Sequence, residues 1–148
     1  MKDEENNNEI EIFNNENKNL MISSLFYLIP GIHAYSKKQY LLSSSLFIGS
    51  TIAYKFWSKP RYDFWRTADI ISANMAMGLF IGNMSWNINI PIYKYIISSF
   101  YFTGASCYAY AVDQYNKKNK KWYIYHLSLH IFMWLGHSLN ICATNQLK

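Results

Sequence analysis

Five stretches of this 148-residue chain contain no Asp, Glu, Lys or Arg: 19–36, 39–54, 70–93, 95–112 and 122–147. They are 18, 16, 24, 18 and 26 residues long, and a helix needs roughly 17–25 mainly apolar residues to cross a bilayer. On the surface of a water-soluble protein, a helix of that length needs a charged face, because one side meets water. Here the charges fall between the stretches. The predicted fold is all-α: a polytopic transmembrane helix bundle of about five spans. The mean hydropathy of −0.12 is low for such a bundle. It is lowered by a polar amino terminus and by the abundant Tyr, Trp and Asn, which membrane helices use at interfaces and in packing.

Residues 1–18 carry six of the nine acidic residues and a run of Asn. So little apolar matter cannot offset the entropy of ordering, and a disordered acidic tail is expected there, ahead of a helical membrane domain over 19–148. The spans are expected at 20–35, 40–57, 67–86, 92–112 and 122–143, with the Pro30-Gly31 pair kinking the first. Trp57, Trp65, Trp86, Tyr93, Trp122 and Tyr123 all fall near span ends, where aromatic belts sit. Cys107 and Cys142 lie in different spans with no CxxC spacing, so both are expected as free, buried thiols.

Basic residues set the orientation. Lys2, Lys18, Lys55, Lys59, Arg61, Arg66, Lys117, Lys118, Lys120 and Lys121 share one side of a five-span chain, ten of its 14 basic residues. The positive-inside rule places that side, with the amino terminus, in the cytoplasm, and the carboxyl terminus outside or in a lumen. Four lysines beside Trp122 at a membrane edge read as a topology signal, with attraction to acidic headgroups next and no nucleic-acid role expected. Ser45, Gly49 and Ala53, and Gly78 and Gly82, recur at four-residue spacing. Such faces predict close helix packing within the chain, or contacts with a protein partner or a second copy. Membrane lipids are the other expected partner.

The polar residues of the cytoplasmic half are the candidate site. Lys55 closes the second span, Asp69 opens the third, Asp113 closes the fourth, and His126 and His130 lie in the first turns of the fifth. Ionisable groups at such depths are costly and face the bundle interior or a cavity. His126, His130 and His137 line one helix face, while Asp69, Ser72, Asn83 and Asn87 line another. These two stripes are expected to meet each other or a cavity. His126 and His130, one turn apart, match the spacing of paired helical metal ligands, with Asp113 as a third ligand by depth. The plainer readings are that Lys55 and Asp69 snorkel or pair, and that His137 and His33 are packing residues.

The order of these residues resembles the membrane hydrolase superfamily that contains the alkaline ceramidases and the progestin and adipoQ receptors. Thr51-Ile52-Ala53-Tyr54-Lys55 is similar to the early-helix element, Asp69 in RTADII to the Asp opening the next helix, and YHLSLHI supplies the HxxxH of His126 and His130. Lys55 stands where that family has its first zinc-binding His, Thr51 stands where Ser is usual beside Ser50, and five spans replace seven. The resemblance implies a zinc ion on His126 and His130, with Asp69 accepting a proton from metal-bound water and Thr51 or Ser50 steadying the oxyanion. It also implies that Lys55 replaces the metal's charge if the site is structural, pairing with Asp69.

Three functions follow as expectations. The first is a small multi-pass membrane protein acting as a non-enzymatic scaffold or assembly component. The alternatives are a zinc-dependent hydrolase of lipid amides or esters at the cytoplasmic face, and a transporter or channel subunit working as an oligomer.

Overall fold

A computed structural model describes residues 14–60 and 64–144. Every regular element among them is a helix: α1 Asn14–Leu25, α2 Leu28–Ser36, α3 Tyr40–Ser58, α4 Phe64–Asn87, α5 Pro91–Asn116 and α6 Trp122–Thr144. The all-α expectation therefore holds. Residues 1–13 of the expected acidic tail lie outside the described residues, and Asn14–Lys18 belong to α1.

The expected first span is two helices. Pro30 does not kink a continuous helix at its own position; the break falls at Phe26 and Tyr27, one turn earlier. A proline ring collides with the carbonyl of the residue four before it, which here is Phe26. That carbonyl turns instead to the amide of Ile29 at 3.1 Å, and Pro30 sits harmlessly in the first turn of α2. At the far end of α2 the Gln39 amide reaches back to the Ala34 carbonyl at 2.9 Å, with Lys38 at φ 59°. This is the left-handed cap that usually carries glycine, and Lys118 repeats it at the end of α5 (φ 52°).

Four registers define the bundle. α1 and α2 run antiparallel to α3, with Ser50 bonded to the Ser24 carbonyl and Ser43 to the Gly31 carbonyl, both at 2.8 Å. They run parallel to α6, from Ser23 against His130 to His33 against Cys142. α5 lies antiparallel along α6, from Tyr115 against Trp122 to Tyr101 against His137. α4 lies parallel to α6 at a constant offset, with Phe80 on His137 and Asn83 on Asn140.

Two apolar clusters mark the two ends. One gathers Leu20, Ala53, Phe56, Trp57 and Trp122 where α1 and α6 begin and α3 ends. The other gathers Leu42, Phe80, Ile88, Ile97, Tyr101 and Ile141 toward the opposite end. The first end also carries the closing residues of α5 and the opening residues of α4.

Glycine serves close packing at positions other than those expected. A Cβ on Gly136 would stand 2.5 Å from the Tyr101 ring, and one on Gly104 would stand 2.9 Å from the Met133 methyl. These two glycines let α5 and α6 approach. A Cβ on Gly49 or Gly78 would meet nothing within 4 Å, and on Gly82 only the Trp86 ring of its own helix. The expectation of tight packing within the chain fails at these three positions, whereas Ala53, in the same repeat as Gly49, is buried beside Leu20. Both cysteines are free as expected, but Cys107 is half-buried and Cys142 exposed.

No described helix is long and apolar enough to cross a membrane. α1 and α2 are short, at 12 and 9 residues. α3 to α6 have 19 to 26 residues, and it is their Ser, Asn, Tyr and Trp content that keeps the apolar average down.

Candidate functional site

The parallel register of α4 and α6 brings Asp69 and His126 to one cleft of about 180 Å³. α3 contributes Trp57 to its wall, α5 contributes Tyr108 and Tyr115, α6 contributes Trp122, and Arg66 stands one turn before Asp69 on α4. The rings touch one another. Trp57 and Trp122 lie near-parallel at 6.3 Å between centroids, and Tyr115 meets Trp122 edge-on at 5.6 Å. His126 contacts Trp57 at 5.0 Å, Trp122 at 6.2 Å and Tyr108 at 6.4 Å. The Asp69 carboxylate, half-buried, takes no hydrogen bond or salt bridge from any described residue. The indole N–H of Trp57 is buried without an acceptor among the described residues.

The two polar stripes meet as their spacing predicts. At one end stand Asp69 and His126. At the other, the Asn83 amide donates to Asn140 Oδ1 at 2.6 Å and to Thr144 Oγ1 at 2.7 Å. Asn140, fully buried, donates to the Phe80 carbonyl at 2.9 Å and to the Tyr101 hydroxyl at 3.3 Å. The Tyr101 hydroxyl then has its proton for His137 Nδ1 at 3.2 Å, which assigns the His137 ring proton to Nε2. Asn140, Tyr101 and Ser23 escaped the sequence reading, which followed charged residues and histidines. Asn140 lies one turn beyond His137, so extending the histidine stripe to amides would have found it.

The remaining predicted residues are committed elsewhere. Ser50 is buried and spends its proton on the Ser24 carbonyl, whereas Thr51 is exposed and bonds the Phe47 carbonyl of its own helix at 2.8 Å. Lys55 does not pair with Asp69; its ammonium stands 5.9 Å over the Trp65 ring. Asp113 is not a third ligand. Its carboxylate accepts from Lys117 at 2.8 Å and Gln114 at 3.0 Å, and the Lys117 hydrogen bond holds its pKa below the usual carboxylate range.

His126 and His130 are adjacent, with ring centroids 5.1 Å apart. Ser23 donates its hydroxyl proton to the Leu20 carbonyl at 2.9 Å, so His130 Nδ1, 2.7 Å away, is the donor to Ser23 Oγ. That leaves Nε2 as the only lone-pair nitrogen of His130. No group of three His, Cys, Asp or Glu among the described residues is placed to hold a metal ion. A zinc ion would therefore lack the third protein ligand that catalytic zinc sites use.

No family model, characterised protein or solved structure matches this chain. The resemblance to the membrane hydrolases stands on its short motifs alone, and of its residues Asp69 and His126 share the cleft, with His130 next to His126.

Proposed function

We propose that this chain is a multi-pass membrane protein that acts as a non-enzymatic scaffold or assembly component. The observation that carries the reading is a set of buried polar side chains inside an exterior rich in large apolar ones. Ser23, Ser24, Ser43, Ser50, His130, His137 and Asn140 are buried, while Ile32, Leu41, Met75, Trp86, Ile92 and Phe102 stand outside, each more than half exposed. Scattered exposed apolar side chains are ordinary on a soluble protein, but large ones exposed on all six helices are more than that. In lipid this arrangement is the favourable one: the exterior meets acyl chains, and internal hydrogen bonds hold helices that hydrophobicity cannot drive together.

Support for a structural role comes from the groups that hydrolysis would need. Ser50, Thr51, His130 and Asp113 all hold bonds within or between helices. In this reading α1 and α2 in succession cross once, and α3 to α6 cross once each. Lys18, Lys55, Lys59, Arg66 and the 117–121 lysines then mark the cytoplasmic end. The low apolar average of α3 to α6 is tolerated because their polar side chains bond within the bundle or to their own backbone.

Alkaline carbonate extraction of membranes from cells expressing the full chain tests the proposal. The chain is expected to stay in the pellet. Release into the supernatant as a stable oligomer overturns it, since a second copy would then be what covers the apolar exterior.

A further inference from the structure

We propose that the aromatic cleft beside Asp69 binds a quaternary ammonium group, the trimethylammonium head of phosphocholine. The cleft joins two features that such a cation requires and other ligands do not. Aromatic residues dominate its lining, Trp57, Trp122, Tyr108 and Tyr115 among them, with Trp57 and Trp122 near-parallel at 6.3 Å. Its one anionic group is a carboxylate without a described partner, Asp69. A cation over an aromatic face is held by the ring quadrupole, more strongly when water is excluded, and boxes of aromatic rings are how proteins take methylated ammonium ions.

Alternative ligands fit less well. A primary ammonium brings three N–H donors, and the cleft offers it one carboxylate, Asp69, with only neutral acceptors beside it on Asn116, His126 and the tyrosines. A divalent cation wants several oxygens, and one carboxylate among rings does not supply them. The cleft is also well below the roughly 300–1,000 Å³ of sites for drug-sized molecules, and its 180 Å³ suits a headgroup. Arg66, one turn from Asp69 on α4, also lines the cleft.

Phosphocholine reaches such a cleft either as a lipid headgroup or as a free solute. Only the lipid source rests on the membrane reading, which would put the cleft at the cytoplasmic edge of the bilayer. The site does not depend on it.

The test uses the full chain purified in a maltoside detergent free of choline. Tryptophan fluorescence, reporting on Trp57 and Trp122, is followed during titration with phosphocholine, dihexanoylphosphatidylcholine, phosphoethanolamine and glycerol phosphate. Saturable change with the two choline compounds is expected, with phosphoethanolamine and glycerol phosphate much weaker. Asp69→Asn and Tyr108→Ala, at partly exposed positions, are expected to weaken binding about tenfold each. Tyr108→Phe keeps the ring face and is expected to bind like the parent.

Tighter binding of the dihexanoyl lipid assigns the site to headgroups, and tighter binding of phosphocholine assigns it to the free solute. Equal binding of phosphoethanolamine, unchanged affinity in both weakening variants, or no saturable change overturns the proposal. A chain that leaves the membrane in carbonate but binds phosphocholine with these variant effects refutes the membrane reading alone. A chain that stays in the membrane and ignores choline refutes the cleft alone.

Discussion

Asn140 does more for this bundle than any of its charged residues. Its single amide joins α4 through Asn83 and the Phe80 carbonyl, and α5 through Tyr101, while Tyr101 passes the network on to His137. Replacing it with leucine keeps the volume and removes every bond, leaving the Asn83 amide and the Tyr101 hydroxyl each one partner short. A buried polar group left unsatisfied costs about 1–3 kcal/mol, although bonds between membrane helices average nearer 0.6 kcal/mol each. Asn140→Leu is therefore expected to lose about 1–3 kcal/mol in denaturant unfolding. Asn74→Leu is the control, because exposed Asn74 bonds only the Ile70 carbonyl of its own helix, and it is expected to cost little. Equal losses from the two would remove Asn140 from its central place. The same scale governs metal. With Asp113 held by Lys117 and His130 Nδ1 by Ser23, the purified chain is expected to carry no stoichiometric zinc by mass spectrometry, and one zinc per chain, lost in His126→Ala/His130→Ala, would reverse that expectation.

Among the elements, the α5–α6 pair is the tightest joint, and its glycines say so. Gly136→Ala sets a Cβ 2.5 Å from the aromatic ring of Tyr101, whose hydroxyl is tied to His137 and Asn140, so ring or helix must move. Overpacking of this kind costs typically 1–3 kcal/mol. Gly49→Ala adds its methyl to open space and is expected to be neutral or to gain up to about 1 kcal/mol of helix propensity. Parallel thermal unfolding of the two variants checks both, and matched losses would mean that the Gly49 face is covered in the folded protein. Spacing alone could not rank these glycines. The Ser45–Gly49–Ala53 repeat is visible in the sequence, yet tertiary packing decides which of its members meets a neighbour: Ala53 is buried beside Leu20 of α1, and Gly49 faces open space. The expected spans, by contrast, located the last four helices closely: 40–57 became Tyr40–Ser58 and 122–143 became Trp122–Thr144. The first expected span concealed a break because Pro30 acts on the carbonyl one turn behind it. At the site, the stripes of α4 and α6 were legible from helical period, and Asp69 beside His126 followed. Lys55 and Asp113 were grouped with them by depth, and depth says nothing of direction around a helix.

Across the whole molecule, the number of crossings in the proposed membrane reading turns on α1 and α2, which have 12 and 9 residues. Two short helices in series form either one crossing or a re-entrant hairpin that returns to the side it came from. The contacts along α3 and α6 decide between them. Leu20 packs with Phe56 and Trp57 at one end of α3, Ser24 is bonded to Ser50 further along, Gly31 to Ser43, and Ala34 packs with Leu42 at the other end. The same segment tracks α6 from Ser23 on His130 to Gln39 on the Ile141 carbonyl. A hairpin would retrace its contacts; this segment advances along both neighbours without reversing. In the proposed membrane reading, one crossing by α1 and α2, plus one each by α3 to α6, would make an odd total and put the termini on opposite sides. On that reading the positive-inside rule, applied to Lys18 and the lysines of 117–121, would make the amino-terminal side cytoplasmic. Asn-X-Thr acceptor tags appended to each end of the full chain, expressed in cells that glycosylate in the endoplasmic reticulum lumen, read this directly. Glycosylation of the carboxyl-terminal tag alone is expected. Modification of both tags would mean an even number of crossings, with α1 and α2 turning back in the membrane despite their advancing contacts. Modification of the amino-terminal tag alone would keep the five crossings and reverse the orientation that the lysines assign.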